Sequence, residues 1–381
     1  MANASYLVIG GGVVGSSIAW HLARRGADVS LIEARSIAAV ASGASAGGVR
    51  QQGRDPREMP LAIAAIARWK NLEDELHADL HYYRDGHLQV YENEAGVEAG
   101  KKSIAAQQAL GLDIELVEGK ALSELAPGLA PQVIAGRYTH NDGHANPTLT
   151  TQAFASAATR AGAVVREGVE VIRLLARGDR VIGAETNTEV GHADHVIVAT
   201  GAWTRGLVLP LGVDLPLQAH GLQMILTKQM PPLLKQVVGA YGRPLSLKQL
   251  REGNYLIGGG WPGDIDMISG QGTPRDENVR SSYRTAADIL PALNATTIER
   301  TWVGVEAICV DEVPIIGPVP GYEGVTVAAG FSGHGFALSP ITGQLVSEFV
   351  LDGVPSISLD AFGADRFTES DLARNVTPSA G

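Results

Sequence analysis

The sequence predicts an α/β chain, α+β overall, with a second domain built on an antiparallel sheet. Three observations predict it. A strand, a glycine turn, a helix and a second strand follow one another within residues 5–33. Between Leu215 and Trp302 short strand-like runs alternate with turn clusters, the pattern of antiparallel pairing. From Val325 a strand, a glycine-rich turn and a long apolar helix return the chain to its first pattern. With 381 residues, 45% hydrophobic and 19% charged, the chain is long enough for two domains and too apolar for disorder.

Each element has its reason. Ser5–Gly10 (SYLVIG) is a short apolar run that stops at glycines. Val13–Arg25 has helical periodicity, with Val14, Ile18 and Leu22 on one face, and Gly26 ends it. Asp28–Ile32 reads as a second strand closed by Glu33. Ala38–Gly48 is a small-residue loop with almost no charge. Helices follow at Leu61–Leu76, Glu98–Leu110 and Thr148–Ala161, with a strand at Gly86–Tyr91. Residues 163–165, 169–175, 180–185 and 195–200 read as strands. Leu222–Thr227 and Tyr255–Ile257 belong to the second sheet, interrupted by a helix at Asn278–Leu290. Val325–Ala329, the turn Gly330–Gly335 and a helix at Leu338–Leu351 close the fold, and the polar tail after Phe367 is expected to fray.

Composition excludes several functions. The net charge of −11 argues against a nucleic-acid or anionic-membrane surface. The single cysteine, Cys309, makes no internal disulfide and no zinc or iron–sulfur site by itself. No apolar run reaches the ~18 residues of a membrane span, and no basic segment precedes the first apolar stretch. A cytoplasmic protein is expected. His77 and His81 are spaced for one helix face, but no third ligand is near, so no metal is expected. His140, Asp142 and His144 fall in a turn-like segment and read as a loop feature. No Gly-x-Ser-x-Gly elbow supports hydrolysis. Glycine is in surplus, 46 residues or about 12%, against a usual ~7%.

The surplus has a use. Gly10-x-Gly12-x-x-Gly15 lies between a strand and a helix, with Glu33 ending the next strand. Gly10 allows the tight turn, Gly12 lets a pyrophosphate approach the backbone, and Gly15 lets helix and strand pack closely. The helix N-terminus, including Val13 and Val14, offers N–H groups to phosphates, and Glu33 accepts ribose hydroxyls. This is a Rossmann-like dinucleotide site. Two further close-approach points, Ala199-Thr200-Gly201 and Gly330–Gly335, together with the small-residue loop, favour a flavin dinucleotide over a nicotinamide. The last helix would then aim its N-terminus at the flavin pyrimidine ring, where negative charge develops on reduction.

The fingerprint, Ser42-Gly43-Ala44-Ser45 with Gly48-Val49-Arg50, Ala199-Thr200-Gly201-Ala202-Trp203, and Gly330-Phe331-Ser332-Gly333-His334-Gly335-Phe336 together resemble the D-amino-acid oxidase/glycine oxidase/sarcosine oxidase superfamily. The motifs span nearly the whole chain in that family's order. Arg300–Pro318 resembles the β-subunits of heteromeric members: opine oxidase, hydroxyproline or proline dehydrogenase and sarcosine oxidase β. The resemblance implies non-covalent FAD held by Gly10, Gly12, Val13, Val14, Gly15, Glu33, Ala34, Arg35, Ser42, Ser45, Ala46, Gly47, Gly48, Val171, Thr200, Gly201, Trp203, Gly330, Ser332, Gly333, His334, Gly335 and Phe336. It implies an FAD-binding domain of residues 1–80, 145–212 and 312–381, and a substrate domain of 81–144 and 213–311. It implies hydride transfer from a substrate Cα–H to flavin N5, then imine hydrolysis. An α-type electron-transfer partner follows, with room for an FMN at the shared interface.

Three residues carry the substrate expectations: Arg50, His334 and Glu306. Arg50 stands where monomeric sarcosine oxidases bind the substrate carboxylate, since a guanidinium fork matches a carboxylate; a surface or pyrophosphate contact is the alternative. His334 faces flavin or substrate, or bonds to backbone. Glu306 stands where glycine oxidases have an arginine. It would repel a simple amino acid but accept the guanidinium or ammonium of an opine such as octopine or nopaline; a structural ion pair is the other reading. Ala337 replaces the lysine that helps hold the carboxylate, and Gly304 falls at the position of the covalent-flavin cysteine. The strand Asn254–Gly258 lacks the oxygen-activating lysine, which points to an acceptor other than oxygen. A stand-alone oxidase of sarcosine, glycine or a D-amino acid, and an electron-relay subunit, are the rival expectations.

Overall fold

The computed structural model describes residues 4–374. Its centre is an eight-stranded sheet in which Ala4–Ile9 pairs in parallel with Val29–Glu33 on one side and Val190–Val198 on the other. Val164–Glu167 and Val325–Ala329 extend it in parallel, and Ile315–Pro318 closes one edge antiparallel. Strand order therefore reverses beside Ala4–Ile9, which opens a crevice beyond its C-terminal end. Buried Leu7, Val8 and Ile9 make that strand apolar on both faces, as a covered parallel strand requires. The helix Val13–Ala23 packs on the sheet and on the last helix, Gly335–Asp352; Ser17 Oγ donates to the Ser339 carbonyl at 2.8 Å.

The second sheet has ten strands. Its spine is the long antiparallel pair Leu217–Thr227 and Ile298–Cys309. All its pairings are antiparallel except one: Val237–Ala240 runs parallel to His87–Tyr91. The helix Asp276–Ile289 packs against this sheet through Ala286 and Ile289, while its N-terminal turn carries Asp276 and Glu277 toward the positive end of its dipole.

Several expectations are corrected. The helix expected over Leu61–Leu76 is two, Met59–Trp69 and Leu72–Leu76. The second ends where His77 enters the left-handed region at φ 49°, and His81 follows at φ 50°, so these histidines share no helix face. The helix expected from Glu98 starts at Glu94 because the Asn93 side chain caps it, accepting from Gly96 N–H at 2.9 Å. The last helix begins at Gly335, not Leu338, so the glycine turn runs directly into its first turn. The loop Ala38–Gly48 contains a short helix, Ala41–Ala44. The tail after Phe367 carries the helix Glu369–Leu372, closed by a reciprocal cap between Thr368 and Asp371; residues beyond 374 lie outside the described residues. Among the described residues no helix is long and apolar enough to cross a membrane.

Candidate active site

The crevice opens into a cavity of about 750 Å³ between the two sheets. Gly10 turns the chain there at φ +109°; a Cβ on it would stand 2.4 Å from the Ala199 carbonyl oxygen. Gly12 caps the following helix, and no side chain of its own bonds the first turn. Ser42 reaches in from the small-residue loop and its Oγ accepts from Val13 N–H at 2.9 Å. Glu33 is held by two backbone donors, Gly11 N–H at 2.7 Å and Arg35 N–H at 2.8 Å. Arg35 lies over the Trp203 ring at 5.1 Å, and Trp203 Nε1 donates to the Met267 carbonyl, so the loop after Pro262–Asp266 closes the far end.

Opposite stands the turn Gly330–Gly335. Ser332 is held in the left-handed region at φ 51°, with its N–H on the Ala307 carbonyl and its Oγ accepting from Cys309 N–H. His334 Nδ1 lies 3.1 Å from both oxygens of Glu58, which is fully buried. Burial and then the Arg54 guanidinium push the imidazole down; Glu58 pulls the other way but is outweighed, and the pKa falls to about 4. His334 is thus neutral near pH 7. Glu306, half-buried on the strand Ile298–Cys309, accepts from Gly333 N–H at 3.2 Å, and its removal from water pushes it up to about 7. Arg50 is half-buried on the wall; burial, then Arg54 and Arg137, lower it to about 9, so it stays charged at neutral pH.

Of the sequence-predicted site residues, all but Gly15 and Gly47 line this one cavity. Those two act behind it. A Cβ on Gly15 would stand 1.9 Å from the Gly10 oxygen, and one on Gly47 2.1 Å from the Ala145 oxygen. The arrangement fits a dinucleotide flavin. The Gly10 turn and Gly12 leave backbone open for a pyrophosphate, Glu33 is oriented for ribose, and the N-terminus of Gly335–Asp352 faces the cavity through Gly335 and Phe336. Gly304 lines the cavity, whereas Cys309 is fully buried behind it, its thiol pushed up to about 12 by burial and by Asp311.

Sequence reasoning missed three residues and gave a fourth, Asp142, only a loop role. Lys248 is buried on Arg243–Gln249, opposite Leu256, and donates to the Ala46 carbonyl of the cofactor loop. Burial lowers it to about 7. The lysine absent from Asn254–Gly258 therefore has a neighbour one strand away. Arg54 and Glu58 follow Arg50 at four-residue steps, a signal hidden by Gly53 and Pro56, which forbid reading the stretch as one helix. Asp142 is fully buried and holds the Arg50 loop: its oxygens accept from Gln51 N–H at 2.9 Å, Gln51 Nε2 at 3.0 Å and Gln52 N–H at 3.4 Å. Burial pushes it up to about 6.

Comparison with known proteins agrees with this geometry. Residues 5–349 match the family described as DAO, FAD dependent oxidoreductase. The 4-methylaminobutanoate oxidase (formaldehyde-forming) of Paenarthrobacter nicotinovorans is 29% identical over 97% of this chain, which spans only 46% of that protein. A glycine oxidase of Pseudomonas putida is 28% identical over 92% of this chain and 95% of its own. Among solved structures, the L-proline dehydrogenase from P. horikoshii superposes with a TM-score of 0.90 at 29% identity, covering 96% of this chain and 98% of that one. With the match running through both glycine turns and both sheets, the chain belongs to the DAO family of FAD-dependent oxidoreductases.

Proposed function

We propose that the chain oxidises the Cα–N bond of an amino acid or secondary-amine amino acid, with an opine-like compound as the favoured substrate. The observation that carries this is Arg50: a charged guanidinium on the wall of the same cavity as the glycine turns, placed to take a carboxylate. FAD, when bound, supplies the hydride acceptor. The chain's own residues do the rest. Arg50 orients the carboxylate. Glu306, with a pKa raised to about 7, takes the ammonium or guanidinium end and is able to hold an amine proton. Neutral His334, fixed by Glu58, lines the cavity without adding charge to it. The walls keep water from the C–H bond until the imine leaves for hydrolysis.

Cys309 is buried and does not line the cavity, which supports non-covalent binding. Sheet membership supports the division into 1–80, 145–212 and 312–381 against 81–144 and 213–311. The stretch Arg300–Pro318 supports a β-subunit that passes electrons to an α-type partner, with an FMN at that interface as one route. Lys248 favours a second reading, a stand-alone oxygen-using oxidase. A buried amine against the cofactor loop would stabilise negative charge developing on oxygen. Reoxidation of the reduced chain in air separates the two.

The test is anaerobic mixing of the FAD-loaded chain with opines, hydroxyproline, sarcosine, glycine and D-amino acids. At least one is expected to bleach the flavin absorbance. Arg50→Met should keep the bound flavin and lower the apparent second-order rate of bleaching about 30- to 1000-fold, the loss expected from unpairing a buried carboxylate. Full retention of flavin colour with every amine would sink this function.

A further inference from the structure

Two helices begin at the cavity wall, and the residues that cap them meet. Glu58 precedes the helix Met59–Trp69, and His334 precedes Gly335–Asp352. The helices pack together: Trp69 Nε1 donates to the Ala337 carbonyl at 2.8 Å, and its ring lies 5.2 Å from that of Phe336. Their N-terminal ends are thereby fixed relative to each other, and both positive dipole ends favour a carboxylate there. The Glu58 side chain has no exposed surface. Among the described residues its one hydrogen-bond partner is His334 Nδ1, 3.1 Å from each oxygen.

A carboxylate only accepts, so Nδ1 of the neutral ring carries the proton and Nε2 is left bare. Nε2 has no partner among the described residues and keeps accessible surface; the side chain, 16% exposed, lines the cavity. Backbone bonds hold the residue in place: His334 N–H donates to the Phe331 carbonyl at 2.8 Å, and its carbonyl accepts from Leu338 N–H at 3.1 Å. Which nitrogen bears the proton decides what the ring does to an amine. Hydride leaves Cα for the flavin with the C–H electron pair, and the nitrogen lone pair forms the C=N bond. A ring donating from Nε2 would hydrogen-bond that lone pair and hold it back. A ring accepting at Nε2 takes an N–H instead and leaves the lone pair free. The nitrogen turns cationic as the C=N bond forms. Its N–H therefore donates more strongly in the transition state than before it, which is what lowers a barrier. The ammonium proton goes beforehand to Glu306, which bonds Gly333 in the same turn.

We infer that Glu58 is a positioning residue: it fixes the tautomer of His334, so that Nε2 stands in the cavity as a permanent acceptor for the N–H of the reacting amine. The inference rests on the proposed amine-oxidising reading for the N–H, and on the Glu58–His334 pair alone for the tautomer.

The test has two arms, both on the FAD-loaded chain. Nitrogen NMR of isotope-labelled histidine, without substrate, separates protonated from bare ring nitrogens, and His334→Asn assigns the His334 signals. The wild-type chain is expected to show Nδ1 protonated and Nε2 bare. In Glu58→Gln the neighbouring Arg54 charge draws the amide oxygen, the NH2 group turns to Nδ1, and the proton is expected to move to Nε2. The second arm uses any amine that bleaches the wild-type flavin without oxygen. Glu58→Gln should lower the limiting rate at saturating amine by about 100-fold or more and leave Kd within about fivefold, the mark of a wrong tautomer. His334→Asn puts its amide nitrogen where Nδ1 stands, so it keeps the bond to Glu58 and removes Nε2 alone. It should hold flavin and lose rate to the same order. A wild-type proton on Nε2, or an undiminished rate in either variant, overturns the inference. Should Glu58→Gln not fold, the wild-type spectrum and the His334→Asn rate decide it. If the tautomer is as expected and no amine bleaches the flavin, the amine-oxidising reading falls while the fixed acceptor stands.

Discussion

Glu306 shows how one side chain reports on the cavity around it. Burial raises its carboxyl from an ordinary 4.5 to about 7. Between those values the folded chain binds more protons at this site than the unfolded chain does. The stability that follows is fully present below about 4.5 and is lost as pH rises through about 7. Asp142, raised to about 6, has the same sign, while Lys248, lowered to about 7, gives stability that grows as pH rises above 7. Only a difference measurement isolates Glu306. Glu306→Gln, a neutral isostere, should flatten the pH dependence of the cofactor-free chain between about 4.5 and 7, by on the order of 1 kcal/mol, because solvent at the cavity mouth screens part of the shift. Chemical denaturation of both proteins across that range is the measurement; parallel curves would show that Glu306 titrates as an ordinary carboxyl.

At the scale of elements, two glycines of the first turn, Gly12 and Gly15, divide their work in a way that substitution can separate. A Cβ at position 15 meets the Gly10 backbone oxygen at 1.9 Å, and backbone cannot step aside cheaply. Gly15→Ala should therefore destabilise the apo chain by about 1–3 kcal/mol or more, as overpacking does. A Cβ at position 12 meets only Ser42 Oγ at 3.2 Å, a side chain able to yield. Gly12→Ala should leave the apo melting temperature within a few degrees and abolish flavin retention, since the methyl occupies the pyrophosphate approach. Equal loss of stability in both variants would refute that division. These glycines were legible in the sequence because local conformation alone demands them. So were the strand Val325–Ala329 and the helix Pro147–Arg160, whose periodicity is strong and whose cap, Asn146, is local. The strand Arg243–Gln249 was not legible: its Pro244 and Lys248 oppose strand reading, and only tertiary packing buries that lysine. The Arg54–Glu58–His334 cluster was hidden for a related reason. His334 and Glu58 are 276 positions apart, and no local rule joins them.

The whole molecule places its cavity between two sheets that contribute different chemistry. The eight-stranded sheet supplies the Gly10 turn, Glu33 and Thr200; the ten-stranded sheet supplies Gly304 and Glu306, and the loop after one of its strands supplies Met267 and Ile268. Direct ties across the cavity include Arg35 and Trp203 on the Met267–Ile268 backbone, Lys248 on Ala46, Trp302 Nε1 donating to the Ala44 carbonyl at 2.9 Å, and the bonds of Ser332 and Gly333 to the strand Ile298–Cys309. A dinucleotide lying along this line touches both sheets, so its binding free energy should be shared between them rather than confined to the nucleotide fold. Mass action sets the scale: at free FAD a hundredfold above Kd the folded state gains about 2.7 kcal/mol. Hydrogen exchange shows where that gain is felt. Saturating FAD should slow exchange together in the Gly10 turn and residues 41–48, and, on the other sheet, in residues 266–270 and the strand Ile298–Cys309. Protection limited to the first set would mean that the cofactor belongs to one sheet and that the second closes over it only when substrate arrives.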